Sequence, residues 1–252
     1  KELLPTIKKN YRTTDYNMIM GHSFGGTFIG YSLLEYPEVF NAYIAVSPYL
    51  QFADNYIINE AKNKLKSKYD NPKSFYMTVG DEIDFFNPLD EFSDLIKEKS
   101  GKAISFQYVQ MPRDNHMSTP YLSIFNGLRF IFSDWTLPDE TFQNGLLAID
   151  DHFATVSKKY DYKVVTPENT INNLGYSYLG AGRIPKAIEV FKENVKRFPK
   201  SANVYDSLGE AFENNNQLEL AKKNYSEAYK LGLAQNLGTT SLFKNNLERV
   251  SK

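Results

Sequence analysis

The chain has 252 residues, of which 42% are hydrophobic and 23% charged, a composition typical of a globular protein that can bury a core. Lysine and arginine total 29 against 30 acidic residues, and this balance argues against nucleic acid as the main partner. The chain has no cysteine and three histidines, which excludes disulfides, a cysteine nucleophile and thiolate metal sites. No apolar run approaches the roughly 18 residues of a membrane helix. We expect neither a metal nor an organic cofactor, and the composition fits bacterial cytoplasm and periplasm equally.

Residues before Pro138 alternate between short strand patterns and longer helical patterns. The predicted strands are residues 17–20, 42–47, 74–79 and 104–111. The predicted helices are residues 25–35, 57–68, 89–100 and 121–132. Strands that alternate with helices of this length predict crossover units and a mostly parallel sheet.

Residues 21–26 read Gly-His-Ser-Phe-Gly-Gly and contain the pattern G-x-S-x-G. A strand pattern precedes them and a helical pattern follows, which is the context of a nucleophile elbow. We therefore predict that Ser23 is a nucleophile on a strained turn and that Gly21 and Gly25 avoid clashes with the neighbouring chain. The alternative is a glycine-rich turn in which the serine is a bystander.

A serine nucleophile needs a base, and the base needs an orienting acid. Three carboxylates follow the third predicted strand, Asp81, Glu82 and Asp84. In an extended turn Glu82 and Asp84 share a side. We favour Glu82 narrowly over Asp84 as the acid, and we expect Asp114 to shape a loop instead.

His116 is the only histidine downstream of Ser23 in the α/β half. It follows the fourth predicted strand, at the edge of the sheet where open parallel sheets bind ligands. The chain order serine, acid, histidine is the order of the α/β-hydrolases, so we predict that His116 is the base. We expect His22 to pack or hydrogen-bond locally and His152 to have a structural role.

Four segments together resemble the "Putative esterase" family. They are the elbow, Ala-Val-Ser-Pro at 45–48, the Gly-Asp-Glu turn at 80–82 and His-Met-Ser-Thr-Pro at 116–120. These α/β-hydrolases include siderophore, acetyl and feruloyl esterases. The resemblance spans roughly residues 1–135. It implies that Ser23 is the nucleophile, His116 the general base, Glu82 or Asp84 the orienting acid, and the backbone N–H of Phe24 an oxyanion donor.

The family pattern also implies four strands upstream of the elbow strand, whereas 22 residues precede Ser23. The loop that supplies the second oxyanion N–H should lie in that upstream part. A half-sheet would leave a central strand unpaired at its edge. We therefore expect the chain to be part of a longer protein.

After Pro138 the pattern is helical and repeats with an offset of 34 residues. This offset superposes several large, small and aromatic residues: Ile171 on Tyr205, Leu174 on Leu208, Gly175 on Gly209, Tyr178 on Phe212, Ala187 on Ala221, and Phe191 on Tyr225. With Pro199 near the end, the pattern resembles the tetratricopeptide repeat. The alternative is an ordinary helical hairpin. We expect helices at 139–159 and 241–250 to complete the stack.

The predicted architecture is thus an α/β-hydrolase sheet at 1–137, a linker helix at 138–164 and tetratricopeptide repeats with a capping helix at 165–252. The predicted function is a serine carboxylesterase acting on acyl esters of siderophores, carbohydrates or small molecules. The alternative is a non-catalytic interaction protein whose repeats bind a peptide or partner protein or mediate self-association. A peptidase of the same fold is less favoured, because no propeller or lid domain is visible.

Overall fold

A computed structural model describes residues 2–252. The chain divides into two compact units. The sheet unit comprises the residues up to Thr136 together with Val156–Tyr162. The helical unit comprises Leu137–Thr155 and Lys163–Lys252. Within residues 2–252 no helix is long and apolar enough to cross a membrane.

The sheet unit contains four strands, each followed by a helix. The strands are β1 (Met18–His22), β2 (Ala42–Val46), β3 (Lys73–Val79) and β4 (Ile104–Gln110). The helices are α1 (Leu3–Asn10), α2 (Phe24–Glu35), α3 (Phe52–Lys64), α4 (Ile83–Ser100) and α5 (Thr119–Ile131). The four predicted strands are confirmed, and a helix follows each of them as predicted. The bounds of α3 differ from the prediction of 57–68, since the helix starts at Phe52 and ends at Lys64. Helix α1 was not predicted.

The four strands form one parallel sheet in the order β1-β2-β3-β4. Each crossover steps in the same direction, and because crossovers are right-handed this puts α2, α3 and α4 on one face. Alternate strand residues, such as Tyr43 and Phe75, pack there against Leu33 and Phe92. The other face carries Ile44 and its neighbours against α5. The sheet is therefore sandwiched, and its carboxyl edge is left for polar residues.

Helix α4 begins at Ile83, six residues before the predicted start at Leu89. Pro88 lies inside this helix, where proline lacks an N–H and leaves the carbonyl four residues earlier without a partner. That carbonyl belongs to Asp84, and the side-chain amide of Gln51 donates to it at 2.5 Å. A side chain from a distant segment thus replaces the hydrogen bond that Pro88 removes, and the helix continues through the proline.

The helical unit contains helices α6 to α12. Their bounds are α6 (Asp139–Gln143), α7 (Leu146–Tyr160), α8 (Glu168–Gly180), α9 (Ile184–Arg197), α10 (Ala202–Asn214), α11 (Leu218–Ala234) and α12 (Thr240–Arg249). The last five residues of α7 belong to the sheet unit. The prediction of one helix over 139–159 is wrong, because Gly145 lies in the left-handed region (φ +90°) and separates α6 from α7.

Small residues allow the helices of the helical unit to pack closely. A Cβ on Gly175 would lie 2.4 Å from the ring of Phe191, and a Cβ on Gly209 would lie 2.8 Å from the ring of Tyr225. These glycine–aromatic pairs join α8 to α9 and α10 to α11, and they are related by the 34-residue offset. The same packing contact therefore occurs twice along the array.

Candidate active site

Polar residues from all four strand ends meet at the carboxyl edge of the sheet. Ser23 follows β1, Ser47 follows β2, Glu82 follows β3 and His116 follows β4. Strand pairing places His22 beside Val46 and Val46 beside Thr78, so the first three strands end at the same level. Ligands of open parallel sheets bind at this edge. The edge is therefore the natural place for a reactive centre.

Ser23 lies in a strained turn between β1 and α2. Its φ of 58° and ψ of −121° are unfavourable for a residue with a Cβ, and such outliers cost about 1–3 kcal/mol. The turn is held because the Ser23 N–H donates to the carbonyl of Val46 at 2.9 Å and the Ser23 carbonyl accepts from Thr27 at 3.0 Å. The surrounding backbone thus fixes Ser23 in the conformation of an elbow.

The two glycines of the pattern differ in what surrounds them. A Cβ on Gly21 would lie 2.4 Å from the backbone oxygen of Gly25, whereas a Cβ on Gly25 would meet nothing within 4 Å. The prediction that both glycines avoid clashes is right for Gly21 and wrong for Gly25 among the described residues. Gly26 is the second crowded position, with its Cβ site 2.9 Å from the Pro48 side chain.

Glu82 and His116 are directly paired. Glu82 Oε1 lies 2.5 Å from His116 Nδ1, and the Glu82 side chain is 8% exposed. Because an ionised carboxylate can only accept, Nδ1 carries the ring proton and Nε2 is left as the basic nitrogen. The structure gives no such bond to Asp84, which is exposed in the first turn of α4, nor to the exposed Asp81.

The loop that carries His116 is shaped by its own polar residues. The carboxylate of Asp114 accepts from Ser118 Oγ at 2.8 Å, and the side chain of Asn115 accepts from the backbone N–H groups of Met117 and Ser118. The Asp114 carbonyl accepts from the Asp81 N–H at 2.7 Å. A Cβ on Gly80 would lie 2.8 Å from that carbonyl oxygen. Gly80 therefore lets the acid and histidine loops pack backbone to backbone.

His22 connects the elbow to His116. The two imidazole rings are 4.4 Å apart between centroids, and His22 directly precedes Ser23. Burial, and secondarily the neighbouring His116, lowers the pKa of His22, so this ring is neutral at pH 7. His22 Nε2 is buried without a hydrogen-bond partner. Within residues 2–252 the structure gives no hydrogen bond between Ser23 Oγ and His116, although such bonds often form only with substrate.

Aromatic side chains surround the elbow. Phe24 and Phe52 are each more than half exposed, and their rings are 5.6 Å apart. Tyr49 contacts Phe24, and Phe85 lies 5.8 Å from the ring of His116. As the first residue of α2, Phe24 has a backbone N–H without an intrahelical acceptor. A helix N-terminus and an apolar surface thus adjoin Ser23.

Ser47 is a member of this site to which sequence reasoning assigned no role. Its Oγ donates to Glu82 Oε2 at 2.6 Å, and the Gly80 N–H donates to the same oxygen at 3.0 Å. A serine directly after a strand that lies between the elbow strand and the acid strand is the signal that could have identified it. His152 lies in α7, in the helical unit, and is not part of this set. Within residues 2–252 no group of three or more histidine or acidic side chains could hold a metal ion.

Comparisons with known proteins bear on the family and the fold. Residues 1–119 match the family model described as "Putative esterase". The structure is similar to that of an IroE-like serine hydrolase from Shewanella oneidensis, with a TM-score of 0.60 and 19% identity over 79% of this chain. This chain covers 64% of that hydrolase. An uncharacterised protein from Capnocytophaga ochracea gives a TM-score of 0.69 and 17% identity over 99% of this chain and 72% of its own. No curated protein sequence matches. The fold is α/β-hydrolase-like.

Proposed function

We propose that this chain is a serine carboxylesterase-type hydrolase that acts on acyl esters. The observation that carries the proposal is the Glu82–His116 pair, located beside a strained Ser23 at the carboxyl edge of the sheet. The match of residues 1–119 to an esterase family supports the same reaction class. Siderophore, carbohydrate and small-molecule esters are the substrate classes that we propose.

The chemistry follows from the roles that the side chains can take. Ser23 Oγ attacks the ester carbonyl while His116 Nε2 takes its proton, and Glu82 stabilises the imidazolium through Nδ1–H. The oxyanion is stabilised by the backbone N–H of Phe24. When the tetrahedral intermediate collapses, the alcohol leaves with the proton from His116. Water, deprotonated by His116, then attacks the carbonyl of the acyl-enzyme. The bond to Ser23 Oγ breaks, the acid leaves, and His116 returns the proton to Ser23.

The first experiment measures hydrolysis of p-nitrophenyl butyrate by the chain and by Ser23→Ala. We expect the substitution to lower kcat by at least about 10³-fold, because it removes the nucleophile. Ser32→Ala is the matched control, since Ser32 is a buried serine in α2 whose hydroxyl donates to the Phe28 carbonyl. A fluorophosphonate should label the wild type and Ser32→Ala but not Ser23→Ala. Retained hydrolysis in Ser23→Ala would contradict the proposal.

We propose further that α8 to α11 form two tetratricopeptide repeats. The recurring glycine–aromatic contacts, Gly175 with Phe191 and Gly209 with Tyr225, support this assignment because they are 34 residues apart. Partner binding or self-association through these helices is the alternative function. It gains support if the wild type neither hydrolyses the ester nor reacts with the fluorophosphonate.

A further inference from the structure

Ser47 is buried completely and has an unusual backbone conformation. Its φ of +40° lies in the left-handed region, where a serine is strained and glycine or asparagine is favoured. Residues with such strain persist only where the surroundings determine their conformation, and they cluster at functional sites. Ser23 is the other strained serine at this edge of the sheet.

Ser47 makes two hydrogen bonds, one from its backbone and one from its side chain. Its N–H donates to the Thr78 carbonyl at 2.8 Å, which extends the pairing of β2 with β3 beyond the end of β2. Its Oγ donates to Glu82 Oε2 at 2.6 Å. The backbone bond anchors Ser47 to the strand that precedes Glu82, and the hydroxyl then bonds the carboxylate itself.

The carboxylate of Glu82 is thereby held at both oxygens. Oε2 accepts from the Ser47 hydroxyl and the Gly80 N–H, while Oε1 faces His116 Nδ1. With Oε2 occupied by two donors, rotation of the carboxylate would break both bonds. The carbonyl of Val46, the residue before Ser47, accepts a hydrogen bond from the Ser23 N–H. One dipeptide, Val46–Ser47, is therefore bonded to the elbow on one side and to the acid on the other.

We propose that Ser47 is a positioning residue. It holds Oε2 of the Glu82 carboxylate, so that Oε1 orients His116 toward Ser23. This inference rests on the proposed function, because it assigns Ser47 a role in the same reaction. Ser47 does not contact the reacting atoms. It acts through Glu82, and its loss should slow the chemical step without changing substrate binding.

The test compares Ser47→Ala and Ser47→Gly with Ser32→Ala. Both Ser47 variants lose the hydroxyl, but glycine also relieves the left-handed strain, so the two variants differ in stability and share the catalytic defect. We expect kcat for p-nitrophenyl butyrate to fall about ten- to a hundredfold in both, the factor expected for a hydrogen bond to a charged group, with KM within twofold. Ser32→Ala should keep kcat. Wild-type kcat in Ser47→Gly would overturn the proposal.

A second readout does not depend on turnover. The His116 Nδ1 proton, bonded to Glu82, should give a strongly downfield proton NMR resonance in the wild type that shifts upfield or broadens in both Ser47 variants. If the chain hydrolyses no ester, the proposed function fails, and this resonance alone decides the role of Ser47. A resonance that Ser47→Ala leaves unchanged, or that the wild type lacks, overturns the inference.

Discussion

The sheet unit and the helical unit each bury a carboxylate, and the two carboxylates are treated differently. Glu82 meets a hydroxyl, a backbone N–H and an imidazole. The Asp206 carboxylate in α10 accepts a hydrogen bond from the Asn246 side chain at 2.9 Å, and burial raises its pKa. A carboxyl that is buried with little hydrogen bonding tends to take up a proton, as the raised pKa of Asp206 indicates. The first arrangement suits chemistry and the second suits packing.

The units also differ in what their crowded glycines accommodate. In the sheet unit Gly21 leaves room for backbone atoms of the elbow, which cannot move without altering Ser23. In the helical unit Gly175 and Gly209 leave room for the buried aromatic rings of Phe191 and Tyr225. The backbone contact at Gly21 occurs once, at the strained turn. The contact between a glycine and an aromatic ring occurs twice in the helical unit, at Gly175 and Gly209. The same residue type therefore permits a strained turn in one region and close helix packing in the other.

The largest effect should come from the fully bonded carboxylate. Glu82→Gln should lower kcat by about 10²–10⁴-fold, because an amide can donate to Nδ1 and so favours the tautomer with the proton on Nε2. Asp84→Asn is the matched control, since Asp84 is exposed, and it should stay within twofold. Steady-state hydrolysis of p-nitrophenyl butyrate measures both. A large loss in Asp84→Asn with an active Glu82→Gln would reverse the assignment.

An intermediate effect should separate the two kinds of crowded glycine. Gly21→Ala should destabilise the sheet unit by about 3 kcal/mol and slow ester hydrolysis about tenfold, because the Cβ would lie against the backbone of Gly25. Gly209→Ala should cost the helical unit about 1–2 kcal/mol, since part of the overlap with Tyr225 is offset by the higher helix propensity of alanine. Hydrolysis should be retained in Gly209→Ala.

Urea unfolding followed by circular dichroism, together with the activity assay, checks this pair. Gly25→Ala and Gly180→Ala are the controls, because a Cβ at either position meets nothing within 4 Å. Equal losses of stability and activity in Gly21→Ala and Gly25→Ala would show that the crowding at Gly21 has no special role.

The smallest effect should come from the poorly bonded carboxylate. Burial, with a smaller contribution from Glu210, raises the pKa of Asp206, so the folded state binds its proton more tightly than the unfolded state does. As the pH rises from about 4, the unfolded value, through the raised folded value, this contribution to stability is lost. The free energy of unfolding of the wild type minus that of Asp206→Asn should therefore decrease from pH 4 to pH 7. Urea titrations at several pH values measure it, and a difference that increases with pH would contradict the prediction.

Much of the sheet unit could be predicted from local pattern, because period, length and apolar content distinguish strands from helices. The four strands were found to within about two residues, and Ser23 and His116 were singled out from motif and chain order. Several helix boundaries were not predicted, and two of them have identifiable tertiary or conformational causes. Gln51 satisfies the carbonyl that Pro88 frees, and Gly145 adopts a left-handed turn within a helical pattern.

The amino-acid sequence alone determined that a serine, several carboxylates and a histidine follow successive strands, since that order is written in the chain. Only the tertiary structure decided which carboxylate meets His116. An extended turn would have put Glu82 and Asp84 on one side, but α4 begins at Ile83. Asp84 therefore follows helical geometry and is exposed, while Glu82, just before the helix, reaches His116 and Ser47. Gln51, 33 positions away, donates to the Asp84 carbonyl that Pro88 leaves without a helical partner, and no local pattern reports such a contact.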